Sequence, residues 1–120
     1  MSHPIPRSEL LSRRCRPLEG KSAMTAQALN GQLALLSPWI LEDGAIERAY
    51  AFSNYYETIA FVNALAWLIH REDHHPELTV SYNRCIVRFN THSVNGITEN
   101  DFICAAKSDA IFDLGSRGTV

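Results

Sequence analysis

The most regular hydrophobic pattern in the chain lies between residues 54 and 73. Apolar side chains recur there at steps of three and four residues, as on one face of a helix: Ile59, Val62, Ala66 and Ile69. Phe61, Leu65 and Leu68 widen this stripe, which predicts burial on more than one side, as at a subunit contact. Asn54 and Glu57 have the spacing of a capping box, so the helix is expected to begin there. Pro76 prevents its continuation beyond Asp73 or His75.

Alternation of apolar and polar side chains predicts four short strands in two pairs. The strands are expected over residues 39–42, 45–52, 78–82 and 85–89. Asp43-Gly44 is a dipeptide that suits the tight turn of the first hairpin. The second hairpin ends at Thr91-His92, which places this dipeptide just beyond the last strand.

Two further helices flank these elements. Thr25 is a suitable N-cap for a helix that continues to Leu36, where a following Ser-Pro pair ends it. Thr98 and Asp101 mark the start of the last helix. The element order is therefore α-β-β-α-β-β-α, which predicts an α+β fold. Its four-stranded antiparallel sheet should carry the helices packed on one face.

Length and charge predict one domain with an unusual beginning. The chain has 120 residues and a formal net charge of -2, so charge gives no support to nucleic-acid binding. Residues 1–24 are basic and rich in proline, and we interpret them as an irregular lead-in rather than a targeting peptide. Residues 25–115 form the predicted domain, and residues 116–120 a tail.

Cysteine usage and hydropathy predict a cytoplasmic protein without a membrane span. Cys15, Cys85 and Cys104 form no CxxC pair, and their odd number argues against a disulfide framework. Cys85 and Cys104 lie in apolar company and are expected to be core residues. No stretch of the sequence approaches the roughly 20 apolar residues that a transmembrane helix needs.

Histidines are the candidate chemical groups. His70, His74 and His75 fall near the end of the central helix, and His92 follows the second hairpin. Imidazole exchanges protons near neutral pH, and the partial negative charge at a helix C-terminus favours its protonated form. Two other interpretations are a solvated surface cluster and a metal site, because His70 and His74 are four residues apart. Arg71 follows His70, so the zinc-protease HExxH motif is absent.

These residues resemble the pterin-4a-carbinolamine dehydratase family. The family's motif has its counterpart here in His74-His75-Pro76, Tyr82, His92 and Asp101. The resemblance covers about residues 15–113. It implies an α+β fold and loss of water from 4a-hydroxytetrahydrobiopterin to give quinonoid dihydrobiopterin. This reaction recycles the pterin of aromatic amino-acid hydroxylases. The family also implies a homodimer or homotetramer and no metal or organic cofactor.

The resemblance assigns roles to six residues. His74, His75 and His92 match the family's active-site histidines, and the working hypothesis gives acid and base roles to His74 and His92, with His75 orienting the pterin. Three other residues match positions near the pterin pocket and are candidate substrate-binding groups: Asp73, Thr91 and Asp101. A carboxylate there could hold the aminopyrimidine edge of the pterin or orient a histidine. His70 stands where many members have Glu, and Leu78 where some have Trp. We therefore place His70 outside the catalytic set.

A second function remains open at this point. Some members of the family act as dimerisation cofactors of a transcription factor, and some bacterial relatives assist protein assembly. The alternative is therefore a non-catalytic dimeric interaction or assembly cofactor on the same fold. Retention of all three histidines favours the enzyme, because an adaptor has little physical need for them.

Overall fold

The computed structural model describes residues 3–18 and 20–117. Four helices lie at Arg7–Ser12 (α1), Ala26–Leu33 (α2), Tyr55–Glu72 (α3) and Glu99–Arg117 (α4). Four strands lie at Ile40–Glu42 (β1), Ala45–Ala51 (β2), Glu77–Ser81 (β3) and Arg84–Phe89 (β4), and a 3-10 turn lies at His92–Val94. The predicted α+β class and the two hairpins are confirmed.

The four strands form one antiparallel sheet in the order β1-β2-β4-β3. Along β4, alternate side chains are fully buried on the helix-covered face: Cys85, Val87 and Phe89. Register places Ile46 opposite Phe89 and Tyr50 opposite Cys85, so the same face continues into β2. Because strand side chains alternate, Arg84, Ile86 and Arg88 belong to the opposite face of the sheet.

Helix α3 begins and ends as the sequence predicts. The Asn54 side chain accepts a hydrogen bond from the Glu57 N–H (2.9 Å), and the Glu57 carboxylate accepts one from the Ser53 N–H (3.0 Å). At the other end Asp73 takes a left-handed conformation with φ of 51°. The expected core stripe is one step off, because Phe61, Leu65 and Leu68 form the buried face whereas Ala66 is exposed. Adjacent stripes on a helix differ by one residue, so periodicity alone does not choose between them.

Helix α2 is shorter than predicted. Thr25 is its N-cap, accepting a hydrogen bond from the Ala28 N–H (3.2 Å), but the helix ends at Leu33 rather than at Leu36. Separate turns, each closed by one backbone hydrogen bond, follow the helix as far as Trp39. Trp39 was expected to begin the first strand, but its side chain is buried and β1 begins at Ile40. Helix α2 therefore ends about one turn before the Ser37-Pro38 pair that was expected to end it.

The lead-in contains a helix that the sequence analysis did not predict. Helix α1 packs against α4 and buries Leu10 completely. Arg7 donates a hydrogen bond to the carboxylate of Asp109 (2.5 Å), which also receives Arg48 (2.7 Å), the Tyr50 hydroxyl (2.5 Å) and the Trp39 indole N–H (3.1 Å). Burial, together with the negative charge of Asp109, raises the pKa of Tyr50 far above its ordinary value. The lead-in is thus part of the packed domain.

Helix α4 is longer than predicted. It continues past Gly115 to Arg117, so the first two residues of the expected tail, 116 and 117, are helical. Residues 118–120 lie outside the described part of the chain.

A second buried carboxylate fastens the lead-in to the end of α3. The Glu72 side chain is only 1% exposed. It accepts hydrogen bonds from the Lys107 ammonium group (2.7 Å) and from the Cys15 backbone N–H (2.8 Å), and Arg14 lies 3.3 Å away. Burial alone would raise the pKa of Glu72, but these donors outweigh it and hold the pKa below its ordinary value of 4.5.

Replacing this carboxylate should therefore weaken folding in a pH-dependent way. We expect Glu72→Gln to lower the free energy of unfolding at neutral pH by about 1–3 kcal/mol, because buried partners lose their acceptor. A depressed folded-state pKa contributes stability above the unfolded pKa that is lost on acidification. The difference between the two proteins should therefore shrink as pH falls below 4.5. Urea unfolding at several pH values measures this. Glu9→Gln, which removes only an exposed partner of Arg13, is the control and should change little.

Candidate active site

The end of α3 sends two neighbouring histidines in different directions. The left-handed conformation of Asp73 ends the helix, so His74 and His75 no longer follow helical geometry. The His74 side chain is 11% exposed and turns inward, whereas His75 is exposed. The divergence of the two rings that the sequence suggested at a terminating helix is therefore present.

His74 is held by a buried carboxylate. Its Nε2 lies 2.6 Å from Oδ1 of Asp101, whose side chain is fully buried. The imidazole also stacks on the ring of Phe89, with centroids 5.9 Å apart and planes 8° from parallel. This pair fixes the ring's orientation and leaves Nδ1 as the nitrogen available for other proton exchange.

A chain of hydroxyl groups orients Asp101 in turn. Its Oδ2 accepts hydrogen bonds from the Thr91 hydroxyl (2.8 Å) and from the Thr98 N–H (2.9 Å). The Thr98 hydroxyl lies 2.7 Å from that of Thr91 and accepts from the Asn100 N–H (3.2 Å). Since the Thr91 proton goes to Asp101, the Thr98 hydroxyl must donate to Thr91. Thr91 and Asp101 therefore support His74 from behind, and direct contact of either with a substrate stays a prediction.

The segment after β4 brings the third histidine to the same place. Thr91 and Gly96 form an isolated antiparallel bridge, and Asn95 turns the chain with φ of 52°. The turn between them carries His92, which is exposed. The centroids of the His75 and His92 rings lie 6.0 Å apart, with planes 28° from parallel. The predicted meeting of the helix end with the second hairpin is thus observed.

These two rings stand on the wall of a cavity of about 390 Å³. Its lining residues are Ala45, His75, Pro76, Glu77, Arg88, Asn90 and His92. Van der Waals contact on both faces of a flat ligand would need about 7 Å between the two rings, since each contact takes at least 3.5 Å. At 6.0 Å the imidazoles cannot enclose a planar ligand. Such a ligand would lie against their edges, where the ring nitrogens are.

Larger cavities lie elsewhere and lack this chemistry. One of about 850 Å³ lies between α3 and the end of α4, and one of about 740 Å³ lies beside α2. Among the described residues that line them, the titratable groups are Glu57 in the first and His3 and Glu99 in the second. Chemistry rather than size therefore selects the smaller cavity as the candidate site.

Arg88 is a wall residue that the sequence analysis missed. It hydrogen bonds to Glu77 (3.1 Å) and to Glu47, and thereby crosses three strands on the open face of the sheet. Asn90 and Ala45 were also missed. The available signal was the alternation of β4, which places Arg88 on the face opposite the core and two residues from Asn90.

Like His74, Thr91 and Asp101, the remaining candidates do not line the cavity. Asp73 is exposed at the C-cap of α3 and does not line the cavity, so its substrate-binding role stays a prediction. His70 is exposed one turn earlier, with its ring edge-on to Trp67 at 6.4 Å. Within the described residues no three His, Cys, Asp or Glu side chains are grouped as metal ligands would be. No helix among them is long and apolar enough to cross a membrane.

The α+β fold thus carries a cavity lined by His75 and His92, and the residue before His75, His74, is paired with the buried Asp101. A sequence profile of the family described as pterin 4 alpha carbinolamine dehydratase matches residues 22–111. The chain belongs to this family.

Relatives agree over most of their length. A protein of Bdellovibrio bacteriovorus is 52% identical, across 87% of this chain and 88% of its own. One of Nitrosospira multiformis is 47% identical, across 88% and 95% respectively. Both carry the name pterin-4-alpha-carbinolamine dehydratase as an unconfirmed designation.

Solved structures show the same fold. A transcriptional coactivator/pterin dehydratase from Brucella melitensis matches with a TM-score of 0.72 and 36% identity, covering 75% of this chain and 98% of its own. A pterin dehydratase-like RuBisCO assembly factor of the alpha-carboxysome matches with a TM-score of 0.52 and 23% identity. That match covers 61% of this chain and 84% of the other, and it bears on the fold alone.

The His74–Asp101 pair predicts a specific effect of Asp101→Asn. The amide oxygen should keep accepting from Thr91 and Thr98, which turns the amide N–H₂ toward Nε2. Nε2 must then accept, so the imidazole proton moves to Nδ1. Nitrogen-15 NMR of labelled histidine should show this reversal for His74. Asp73→Asn, at an exposed position, is the control and should leave the His74 signals in place. Unchanged His74 signals in Asp101→Asn would contradict the pairing.

Proposed function

We propose that this protein dehydrates 4a-hydroxytetrahydrobiopterin to quinonoid dihydrobiopterin and water. The observation that carries the proposal is a cavity with His75 and His92 on its wall, directly preceded in the chain by His74, which a buried carboxylate orients. Family membership supplies the substrate class, and the proton-transfer groups fit the reaction.

The reaction needs one proton delivered and one removed. The bond between C4a and its hydroxyl oxygen breaks, and a proton from an acid converts the departing hydroxide into water. The neighbouring ring nitrogen gives its N–H proton to a base, and the freed electron pair forms the new carbon–nitrogen double bond. Positioned imidazoles perform both transfers near neutral pH.

The surroundings of the histidines suggest how the roles divide. When His74 is protonated, its Nε2–H would donate to Asp101, which leaves Nδ1–H to serve as the acid for the hydroxyl. His92 is exposed on the cavity wall and has the access that a base needs to return its proton to solvent. His75, 6.0 Å from His92, orients the pterin against the same wall.

A carboxylate on the cavity wall can receive the aminopyrimidine edge of the pterin. Asp101 is fully buried behind His74, whereas Glu77 lines the cavity with a side chain that is 74% exposed. Glu77 is therefore better placed than Asp101 to accept hydrogen bonds from a bound pterin. Its contact with Arg88 (3.1 Å) holds it at the wall.

The wider role follows from the reaction. The product is the oxidised pterin of an aromatic amino-acid hydroxylase cycle, so a hydroxylase that supplies the carbinolamine is the expected functional partner. The acid–base steps use the chain's own side chains and no added cofactor. The three free thiols fit a cytoplasmic location.

A second copy of the chain is the proposed partner at the outer face of α3. Tyr56 and Trp67 keep 84% and 75% of their surfaces exposed in the single chain, and both belong to the face opposite Phe61 and Leu65. Large exposed aromatic side chains on one face mark interaction surfaces. This supports the homodimer or homotetramer that the family implies.

The same face supports the alternative function as a non-catalytic interaction cofactor. The Brucella melitensis relative is described as a transcriptional coactivator as well as a pterin dehydratase. A measurement of dehydratase activity distinguishes the two functions, because a non-catalytic interaction cofactor does not need the His74–Asp101 pair.

Stopped-flow measurement of 4a-hydroxytetrahydrobiopterin decay tests the enzyme. The purified protein should accelerate decay beyond the spontaneous rate. His74→Ala and His92→Ala should each lower kcat by about 10²–10⁴-fold, the range for loss of a general acid or base. His75→Ala should raise KM more than it lowers kcat.

Two controls accompany these variants. His70→Ala removes an exposed histidine outside the cavity and should leave both constants within about twofold of the wild type. Absence of acceleration by the wild-type protein would overturn the enzyme and leave the interaction cofactor. Equal loss in His70→Ala and His92→Ala would instead show that the site is misplaced.

Light scattering tests the oligomer. The wild-type mass should correspond to two or four chains, and Trp67→Ser should lower it by removing the exposed indole from the contact. Leu114→Ser, at an apolar position that is 71% exposed near the end of α4, is the control and should keep the wild-type mass. A monomeric wild-type protein would rule out this assembly.

A further inference from the structure

Two thiols that the proposed reaction does not use lie in contact. The Sγ atoms of Cys15 and Cys104 are 3.5 Å apart, although the residues are 89 positions apart in sequence. Cys15 belongs to the lead-in and Cys104 to α4, and neither is bonded to another cysteine. We propose that Cys15 and Cys104 form a modification site, at which a peroxide oxidant produces an intramolecular disulfide between the lead-in and α4.

The backbone around Cys15 is fixed on both sides. The Cys15 N–H donates to Glu72 (2.8 Å), and the next N–H, that of Arg16, donates to the Asn100 side chain (3.2 Å). The Asn100 amide group returns a hydrogen bond to the Arg16 carbonyl (2.7 Å). The Cys15 thiol is therefore already held within 3.5 Å of the Cys104 sulfur in the folded state, so the two sulfurs need only a short approach to reach bonding distance.

The two thiols differ in access to solvent. Cys15 is half-buried, whereas Cys104 is fully buried. Its hydrogen bond with Cys15 and its burial raise the pKa of the Cys104 thiol well above the ordinary value. A high pKa suppresses the thiolate that reacts with oxidants, so Cys15 is the thiol that a peroxide reaches first.

The chemistry balances in two steps. The Cys15 thiol takes an oxygen atom from hydrogen peroxide to become a sulfenic acid, and water leaves. The Cys104 sulfur then attacks the Cys15 sulfur, its proton joins the departing hydroxide, and a second water leaves as the disulfide forms. Peroxide is the two-electron oxidant, and the two thiols are the reductant.

The cross-link would join the two parts of the chain that meet behind the candidate site. Cys104 lies one turn after Asp101 on α4, and Cys15 lies beside Glu72 at the end of α3. A disulfide that closes so long a loop removes much of the freedom of the unfolded chain. The oxidised protein should therefore melt about 5 °C or more above the reduced protein.

Peptide mapping with trypsin tests the proposal because the three cysteines fall on different peptides. Trypsin does not cut between Arg16 and Pro17, so Cys15 lies on residues 15–21, Cys85 on 85–88 and Cys104 on 89–107. After treatment of the folded protein with hydrogen peroxide, mass spectrometry without reduction should show 15–21 joined to 89–107 with the loss of two hydrogen atoms. Reduction should release both peptides.

Matched variants separate this site from general oxidation. Cys15→Ser and Cys104→Ala should each abolish the joined peptide and the rise in melting temperature. Cys85→Ser should keep both, because Cys85 is fully buried and burial raises its pKa to about 11.

Three results would overturn the proposal. One is the survival of three free thiols after peroxide treatment of the wild-type protein. Another is Cys15 oxidised to sulfinic acid with Cys104 still free, which would show that the second sulfur cannot attack. The third is a disulfide that lowers the melting temperature, which would show that the fold must distort to form it.

Discussion

The carboxylate of Asp101 joins three segments of the molecule that are separate in the sequence. One oxygen holds His74 beyond the end of α3, and the other receives Thr91 beyond β4 and the N–H of Thr98 that begins α4. A fully buried carboxylate is tolerated only when its oxygens are satisfied, and here every partner is a donor. Loss of the His74 contact would leave Oδ1 without this partner, whereas Oδ2 has two donors, so the candidate site and the helix start stabilise each other.

Two more buried carboxylates extend the same design along the helices. Glu72 receives Lys107 and the backbone of Cys15, and Asp109 receives Arg7, Arg48 and two aromatic donors. Buried ion pairs add little net stability compared with apolar packing, but an unpaired partner is costly. Their effect is therefore to select one arrangement of the lead-in against α3 and α4. The histidines stand at the end of a framework that has few alternative packings.

The sequence predicted the parts of this framework that depend on local rules. The Asn54–Glu57 cap, the Asp43-Gly44 turn and the stop before Pro76 follow from neighbouring residues, and all are present. Family resemblance then placed the three histidines at one site.

Features that depend on distant partners were not predictable. Helix α1 has six residues, which is too short for a recognisable helical pattern in the sequence. It is stabilised by the packing of Leu10 on α4 and by the hydrogen bond from Arg7 to Asp109. Asp101 had three predicted roles, as a helix cap, as a substrate ligand and as a group that orients a histidine, and the contact with His74 that distinguishes them spans 27 positions. The ion pairs of Arg88 have no local sequence signal, because Glu47 and Glu77 lie on either side of it only through the order of the strands in the sheet.

The site's chemistry finally depends on a single backbone position. Were α3 to continue, the His74 and His75 side chains would leave a single helix about 100° apart. The left-handed turn at Asp73 instead sends one ring to a buried carboxylate and the other to the cavity wall. The two imidazoles thereby acquire different surroundings. His74 is held against the carboxylate of Asp101, whereas His75 is exposed to solvent. In the proposed dehydration this difference suits His74 to the acid role and His75 to orienting the pterin beside His92.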